Sequence, residues 1–380
     1  MKKNKILPIL LLFFLIGLII IGGFRIIKNN NSNEKEVKNL YEAWSNKYIS
    51  NSSQGSFVNT GKDKRMTVSE AQGYGMLIEI DASKKGWSKQ ENFDKLTEYY
   101  KAHTISENND LMAWKQTEDV NSTSMVTSDE NNTSATDGDL DIAYALFEAD
   151  ELWGSEGNYN YKEIANSILN DLLKYNYQSS NNLLLVGDWA RSTEDKNSLV
   201  RTSDLIVPYY QYFYKKTGID TWKLIAEKSI KVLNDLSLKT DTGLMPDFIQ
   251  VYGDDVQIAN GRVLESEHDG DYYWNANRVP LRLAGTGAEL TQTKEKLLAF
   301  FAERKTISAG YRLNGQDLVD YSSTAFTSPV AVLANYEDSG SNLAVKSKNE
   351  TLKNALGSSY YADTLQVLSA FTILNMEEKN

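Results

Sequence analysis

Apolar positions in this chain recur mostly with helical spacing. The clearest case is the run SATDGDLDIAYALFEADELW over residues 134–153, where Ile142, Ala145, Leu146, Ala149 and Leu152 share one helical face. Similar runs begin near Val37, Thr67, Asn92, Gly138, Lys162, Thr202, Asp220, Asn275, Glu289, Ser322 and Ser358. Few stretches alternate with period two, and the chain has only five prolines to interrupt helices. The pattern predicts an all-α domain of about ten to twelve helices, either a barrel of helical hairpins or a solenoid. Self-similarity at the roughly 33- to 47-residue periods of helical solenoids is missing.

The N-terminus follows a different pattern. Ile6 to Phe24 is an uncharged, largely apolar run of 19 residues preceded by Lys2, Lys3 and Lys5. That length suits a membrane-spanning helix, and the basic flank favours a cytoplasmic N-terminus. Gly22-Gly23 is the one weak cleavage candidate, so an uncleaved anchor is expected over a secreted product. The expected organisation is a cytoplasmic flank and transmembrane signal-anchor over 1–28 and a polar tether over 29–39. A single extracellular domain would follow over 40–380, because no Pro/Gly/Ser-rich linker divides it.

Composition narrows the chemistry. With 41% hydrophobic and 24% charged residues, the chain can bury a large core. It has no cysteine, which excludes disulfides, thiolate metal sites and cysteine nucleophiles. Two histidines, His103 and His268, leave little for a histidine-rich metal site or a Ser-His-Asp triad. No metal or cofactor is therefore expected, and the working groups fall to carboxylates, Tyr, Lys or Arg. Residues 1–39 carry seven Lys/Arg against Glu34 and Glu36, a net of +5; the whole chain is −11, which leaves −16 on 40–380. Such a domain repels nucleic acid. Its acidity fits a cationic polysaccharide, and ordinary solubility explains it equally well.

The acids at the start of the 134–153 run deserve the closest reading. Asp137 and Asp139 fall in a first helical turn, where carboxylates cap free N–H groups and meet the positive helix end. Capping alone accounts for one such Asp. Asp137-Gly138-Asp139, however, places a flexible residue between two carboxylates, and the string resembles the signature of glycoside hydrolase family 8. Further blocks follow in that family's order: Ser69-Glu70-Ala71-Gln72-Gly73-Tyr74-Gly75-Met76, Leu111-Met112-Ala113-Trp114-Lys115, Ser203-Asp204 with Pro208, Gly243-Leu244-Met245-Pro246-Asp247-Phe248, Asn275-Ala276-Asn277-Arg278-Val279-Pro280, and Ala325-Phe326 with Pro329. They span roughly Leu40 to Leu374. The resemblance implies an inverting β-glycanase on an (α/α)6 barrel, with its catalytic groups on loops and helix ends at one rim.

Glycoside hydrolysis requires one protonated carboxyl for the leaving oxygen and a second carboxylate on the opposite face, in inverting enzymes roughly 6.5–9.5 Å away. Glu70 lies in the block that resembles the segment bearing the family's general acid. Thr67-x-x-Glu70 also satisfies a capping box, so a purely structural Glu70 is the competing reading. The base is less direct. Many members carry an Asp where this chain has Asn275, and an amide cannot accept the proton of the attacking water. This resembles the subgroup with Asn at that position and a Glu base in the preceding loop. In Leu264-Glu265-Ser266-Glu267-His268-Asp269-Gly270-Asp271, Glu265 is the first choice and Glu267 the alternative; a merely solvated acidic loop is the bland reading.

The resemblance also implies that Asp137 holds the sugar at the cleavage subsite. Arg278 is expected to orient a carboxylate, with Trp114, Tyr209, Asn275 and Asp204 as further substrate-binding candidates. The function expected is hydrolysis of a β-linked polysaccharide such as a β-glucan, chitosan or the producer's own exopolysaccharide in a biofilm, by a monomer held at the cell membrane. A catalytically silent glycan-binding protein on the same barrel and a polysaccharide lyase are the alternatives. The lyase fits poorly, because an acidic domain repels a uronate polymer.

Overall fold

The computed structural model of the protein describes residues 32–119, 122 and 124–379. The first helix, α1 (32–48), buries Val37, Leu40, Tyr41, Trp44 and Tyr48. Their spacing of three and four residues is that of one helical face. This helix begins inside the stretch expected to be a tether, so the folded domain starts before residue 40.

Eleven further helices follow among the described residues: α2 (Ser69–Lys84), α3 (Gln90–Ala102), α4 (Thr136–Trp153), α5 (Tyr161–Asp171), α6 (Val207–Thr217), α7 (Asp220–Leu238), α8 (Val279–Leu283), α9 (Thr291–Ala302), α10 (Thr324–Asp338), α11 (Asn342–Lys353) and α12 (Tyr360–Lys379). They alternate between two rings. α2, α4, α6, α8, α10 and α12 form the inner ring, closed where α12 packs on α2. The odd-numbered helices lie outside; Trp44 of α1 donates from Nε1 to Thr364 of α12 at 2.8 Å and ties the two ends of the domain together. This is the (α/α)6 barrel.

Burial explains the ring each helix joins. In α7, Trp222, Ile225, Ala226, Ser229, Val232, Leu233 and Leu236 are buried along one stripe, the pattern of a helix covered on one side. In α4, Leu140, Ile142, Ala143, Ala145, Leu146, Phe147 and Ala149 are all fully buried, so this helix is surrounded. Leu152, expected on the same face, is 36% exposed near the end of the helix. α11 escaped the hydrophobic pattern because its buried face is Ala344, Ser347, Thr351 and Leu352. Its start is marked instead by Ser341, whose side chain accepts from the Ala344 N–H.

Short antiparallel strands lie in the segments between the helices. Met66–Val68 pairs with Lys115–Glu118, which pairs with Met125–Val126; Leu199–Arg201 pairs with Phe248–Tyr252, which pairs with Asp255–Ile258. These strands lie in the segments that lead into α2, α4, α6 and α8, beside the N-terminal ends of the inner helices.

The expectation of a membrane-held location is corrected. No helix among the described residues is long and apolar enough to cross a membrane. The run 6–24 on which that expectation rested lies outside the described residues.

Candidate active site

Glu70 and Asp137 sit in the first turns of α2 and α4, and two glycines let those helix ends meet. A Cβ at Gly138 would lie 2.5 Å from Ser69 Oγ and 2.7 Å from the Glu70 backbone nitrogen, and one at Gly73 would lie 2.8 Å from the Asp141 Cβ. Only hydrogen at these two positions permits so close an approach. Asp137 accepts the N–H of Gly138 in its own first turn at 3.0 Å, but the capping box expected at Glu70 does not form. Thr67 lies in a strand, α2 starts after Val68, and the N-cap positions of α2 and α4 carry no side-chain cap bond.

The carboxylates instead meet a buried arginine. Arg278, 1% exposed, donates from Nη1 to Glu70 Oε2 at 2.9 Å and to Asp137 Oδ2 at 2.9 Å, and also to the Tyr74 hydroxyl at 3.1 Å. Its Nη2 donates to Asn275 Oδ1 at 2.9 Å. The Asn275 amide then donates to Glu265 Oε2 at 2.9 Å and to Asp247 Oδ2 at 3.3 Å. Glu70 and Glu265 therefore stand at opposite ends of one hydrogen-bonded line through Arg278 and Asn275. Arg201 closes a second path: Nη1 lies 3.2 Å from Asp204 and 3.5 Å from Asp137, and Nη2 lies 3.3 Å from Glu265 Oε1.

Two side chains hold the loop that brings Glu265 in. Asp269, 1% exposed, accepts the backbone N–H groups of Val263, Leu264, Glu265 and Ser266 at 2.7–3.0 Å. Asp247 accepts those of Tyr273 and Ala276 at 2.9 and 2.7 Å. Arg278 is supported from behind by Asn277. Pro329 has no N–H to give to the Ala325 carbonyl one turn earlier in α10, and Asn277 Nδ2 occupies that carbonyl at 3.0 Å. Asn277 in turn accepts from the Tyr361 hydroxyl at 3.0 Å.

Burial divides the acids by protonation. It pushes the Glu70 carboxyl from 4.5 up to about 7; Arg278 opposes the shift, and the charges of Asp137 and Glu265 add to it. Burial also opposes a charge on Asp137, but Arg201 and Arg278 outweigh it and hold its pKa below the ordinary value. Asp204 is raised to about 6 by burial against the pull of Arg201, and Asp247 to about 7 by burial against its hydrogen bonds. Near neutral pH the site thus holds a partly protonated Glu70 beside an ionised Asp137. The Glu265 side chain is 46% exposed, open to water.

Most of the expected residues come together: Glu70, Asp137, Arg278, Asn275, Glu265 and Asp204 form one contact network. Trp114 adjoins it, since its carbonyl accepts the Ser69 N–H at 2.9 Å, immediately before Glu70. Glu267 is exposed and has no contact with Arg201 or Asn275. Tyr209 is not in the network either; its ring stacks on Tyr144 at 4.1 Å, beneath Arg282. His268 bonds Asp271 at 3.0 Å and touches neither candidate base. Arg201, Asp269 and the Arg282–Asp141 pair, bonded at 2.7 and 2.9 Å, were not singled out in the sequence. One signal was available for Arg282: it follows Arg278 by four residues, on the same helical face.

Known proteins share the sequence pattern and the barrel. The family model described as glycosyl hydrolases family 8 matches residues 28–373. A beta-glucanase of Niallia circulans is 32% identical over 351 residues, covering 88% of this chain and 83% of its own. An endoglucanase of Bacillus sp. (strain KSM-330) is 30% identical, covering 90% and 77%. Among solved structures, the apo beta-1,3-1,4-glucanase from Paenibacillus sp. X4 superimposes with a TM-score of 0.82 at 29% identity, covering 91% of this chain and 92% of its own. A cold-adapted family 8 xylanase shares the fold, with a TM-score of 0.74 at 17% identity over 90% of each chain. With a buried carboxyl, an ionised partner and an open third carboxylate on a matching barrel, the chain belongs to glycosyl hydrolase family 8 and is an inverting O-glycosyl hydrolase.

Proposed function

We propose that the protein hydrolyses a β-glucan, with Glu70 as general acid and Glu265 as general base. The observation that carries this reading is the opposed placement of the two glutamates. Glu70 is held against Arg278 in a buried first turn with its pKa near 7, whereas Glu265 is water-exposed and held by Asn275 and Arg201. An acid needs a proton to give at working pH, and a base needs a water to take one from. In the reaction, Glu70 gives its proton to the glycosidic oxygen as the bond to the anomeric carbon breaks. Glu265 takes a proton from the water that attacks the opposite face, and the product is inverted. Asp137, kept ionised by Arg278 and Arg201, accepts hydroxyl hydrogen bonds from the sugar at the point of cleavage and favours positive charge developing on the ring. Trp114 supplies a stacking face next to it, Asn275 orients the base, and Asp204 steadies Arg201.

The substrate class is supported by the relatives, a beta-glucanase, an endoglucanase and a beta-1,3-1,4-glucanase at 29–32% identity. The expected role on a biofilm exopolysaccharide uses the same chemistry but leaned on the membrane location that is now withdrawn. A panel of mixed-linkage glucan, cellulose oligomers, chitosan, xylan and the producer's own secreted polymer decides among these. Reducing-end release should be greatest on β-glucan. Glu70→Gln and Glu265→Gln should each lower it by roughly 10²–10⁴-fold while substrate binding persists. Full activity in both variants, or a retained β-anomer as first product by proton NMR, refutes the assignment.

A further inference from the structure

A second concavity lies behind the catalytic layer, lined by the later turns of α2 and α12, the middle of α4 and the first turn of α6. Its origin is the length of α8. At about 1.5 Å per residue, five residues span roughly 7.5 Å, whereas the twenty of α12 span about 30 Å. The inner ring is therefore unfilled below α8, leaving a cavity of about 350 Å³. That volume is within the roughly 300–1,000 Å³ range of small-molecule sites.

The walls mix apolar surface with charged and polar groups. Leu77, Ile80, Leu281, Leu368 and the Tyr144–Tyr209 pair supply the apolar part. Asp81 presents a carboxylate that accepts from the Asn375 amide at 3.0 Å; burial raises its pKa against the pull of Lys84. Lys84 and Glu148, paired at 2.5 Å, line the same cavity, as does Arg282, whose guanidinium is held by Asp141 at 2.7 and 2.9 Å. Cavities that stay empty are apolar throughout, and this one is not. An occupant can accept a hydrogen bond from Lys84, give one to Asp81 or Glu148, and cover an aromatic and aliphatic wall. Hydroxyl groups on a carbon frame do all three.

We propose that this axial cavity is a binding site for a small polyol of about monosaccharide size, separate from the cleft. The site does not depend on which polymer the cleft takes. The test uses the whole chain, titrated by calorimetry and saturation-transfer NMR with D-glucose and with glycerol. Ala284 lines the cavity and lies outside the catalytic network, so Ala284→Phe fills the space without touching Glu70 or Glu265. Glucose should bind the parent protein, persist when cellotetraose saturates the cleft of Glu70→Gln, and bind Ala284→Phe at least tenfold more weakly with cellotetraose affinity unchanged. A glucose preference over glycerol identifies a sugar as the occupant, and equal affinities identify a simple polyol. Should Ala284→Phe fail to fold, Asp81→Asn should weaken glucose binding severalfold. Glucose that cellotetraose displaces, or glucose binding equal in parent and cavity variants, overturns the proposal. So does an absence of binding by either polyol, which leaves the cavity to water. If cellotetraose itself fails to bind, the β-glucan reading falls, while the comparison of parent with Ala284→Phe still decides the cavity.

Discussion

The charge on Asp137 adds to burial in raising the pH at which Glu70 gives up its proton, and Asp137→Asn exposes that contribution. Glu70 Oε2 and Asp137 Oδ2 each lie 2.9 Å from the same Arg278 nitrogen, so they are at most about 6 Å apart. Both side chains are largely buried, at 17% and 6% exposure, and salt screens their repulsion little. At an effective dielectric constant of about 20, the pair repels by roughly 3 kcal/mol, equivalent to about two pH units on Glu70. Asparagine preserves the shape and still accepts from Arg278, but it removes the like charge. Loss of that charge favours the ionised form of Glu70, so its pKa falls from about 7 by one to two units on this estimate. The acid form then disappears at lower pH, and the alkaline limb of kcat/KM on an unactivated β-glucan should move acidward by the same amount. The variant will be slower because its sugar contact is altered, but the position of the limb is read independently of its height. A dinitrophenyl glycoside, whose leaving group needs no proton, should lack this limb in parent and variant alike. A limb that stays in place or moves to higher pH would refute both the assignment of Glu70 and the electrostatic cause given for its pKa.

Three further outcomes follow from particular contacts. Because the Glu70 pKa is raised from 4.5 to about 7, the unfolded chain releases this proton before the folded one does. Its contribution to stability is complete below about pH 4.5 and is lost as pH rises through 7, at a cost on the order of 3 kcal/mol. Glu70→Gln should therefore raise the melting temperature at pH 8 and leave it nearly unchanged at pH 4, as calorimetry at both pH values would show. Asn275 Nδ2 lies 2.9 Å from Glu265 Oε2, so an aspartate there places a carboxylate almost where the base now stands. The double variant Asn275→Asp/Glu265→Gln should regain at least tenfold over Glu265→Gln alone in steady-state assays, and equal rates would show that the two positions do not reach the same water. Gly138→Ala should destabilise the protein by about 1–3 kcal/mol in denaturant titration and lower kcat, since its methyl group would meet Ser69 and Glu70 at 2.5–2.7 Å.

Spacing along the chain determined much of this protein. The three- and four-residue recurrence of apolar positions marked most of the helices, because a helix buries one stripe whatever it packs against. α11 went unseen because its buried face is built from small and polar residues, and the short strands because two to five residues carry too little periodicity. Ordered motif blocks pointed to Glu70, Asp137, Arg278 and Asn275, and the amide at 275 directed attention to the acidic loop before it.

Tertiary structure decided which of those residues meet. Whether Glu70 caps a helix or faces a partner depended on where α2 begins, one residue after a strand that pairs with 115–118. That Glu265 reaches Arg201 and Asn275 depends on the turn that Asp269 holds, which no local pattern in the acidic loop reveals. Arg201 and Asp137 are 64 positions apart in the chain and meet only because α4 and the strand before α6 share a rim. The raised pKa of Glu70 has the same origin. A sequence gives each carboxyl its ordinary affinity for a proton, and only the fold removes the water and fixes the distances to other charges that shift it.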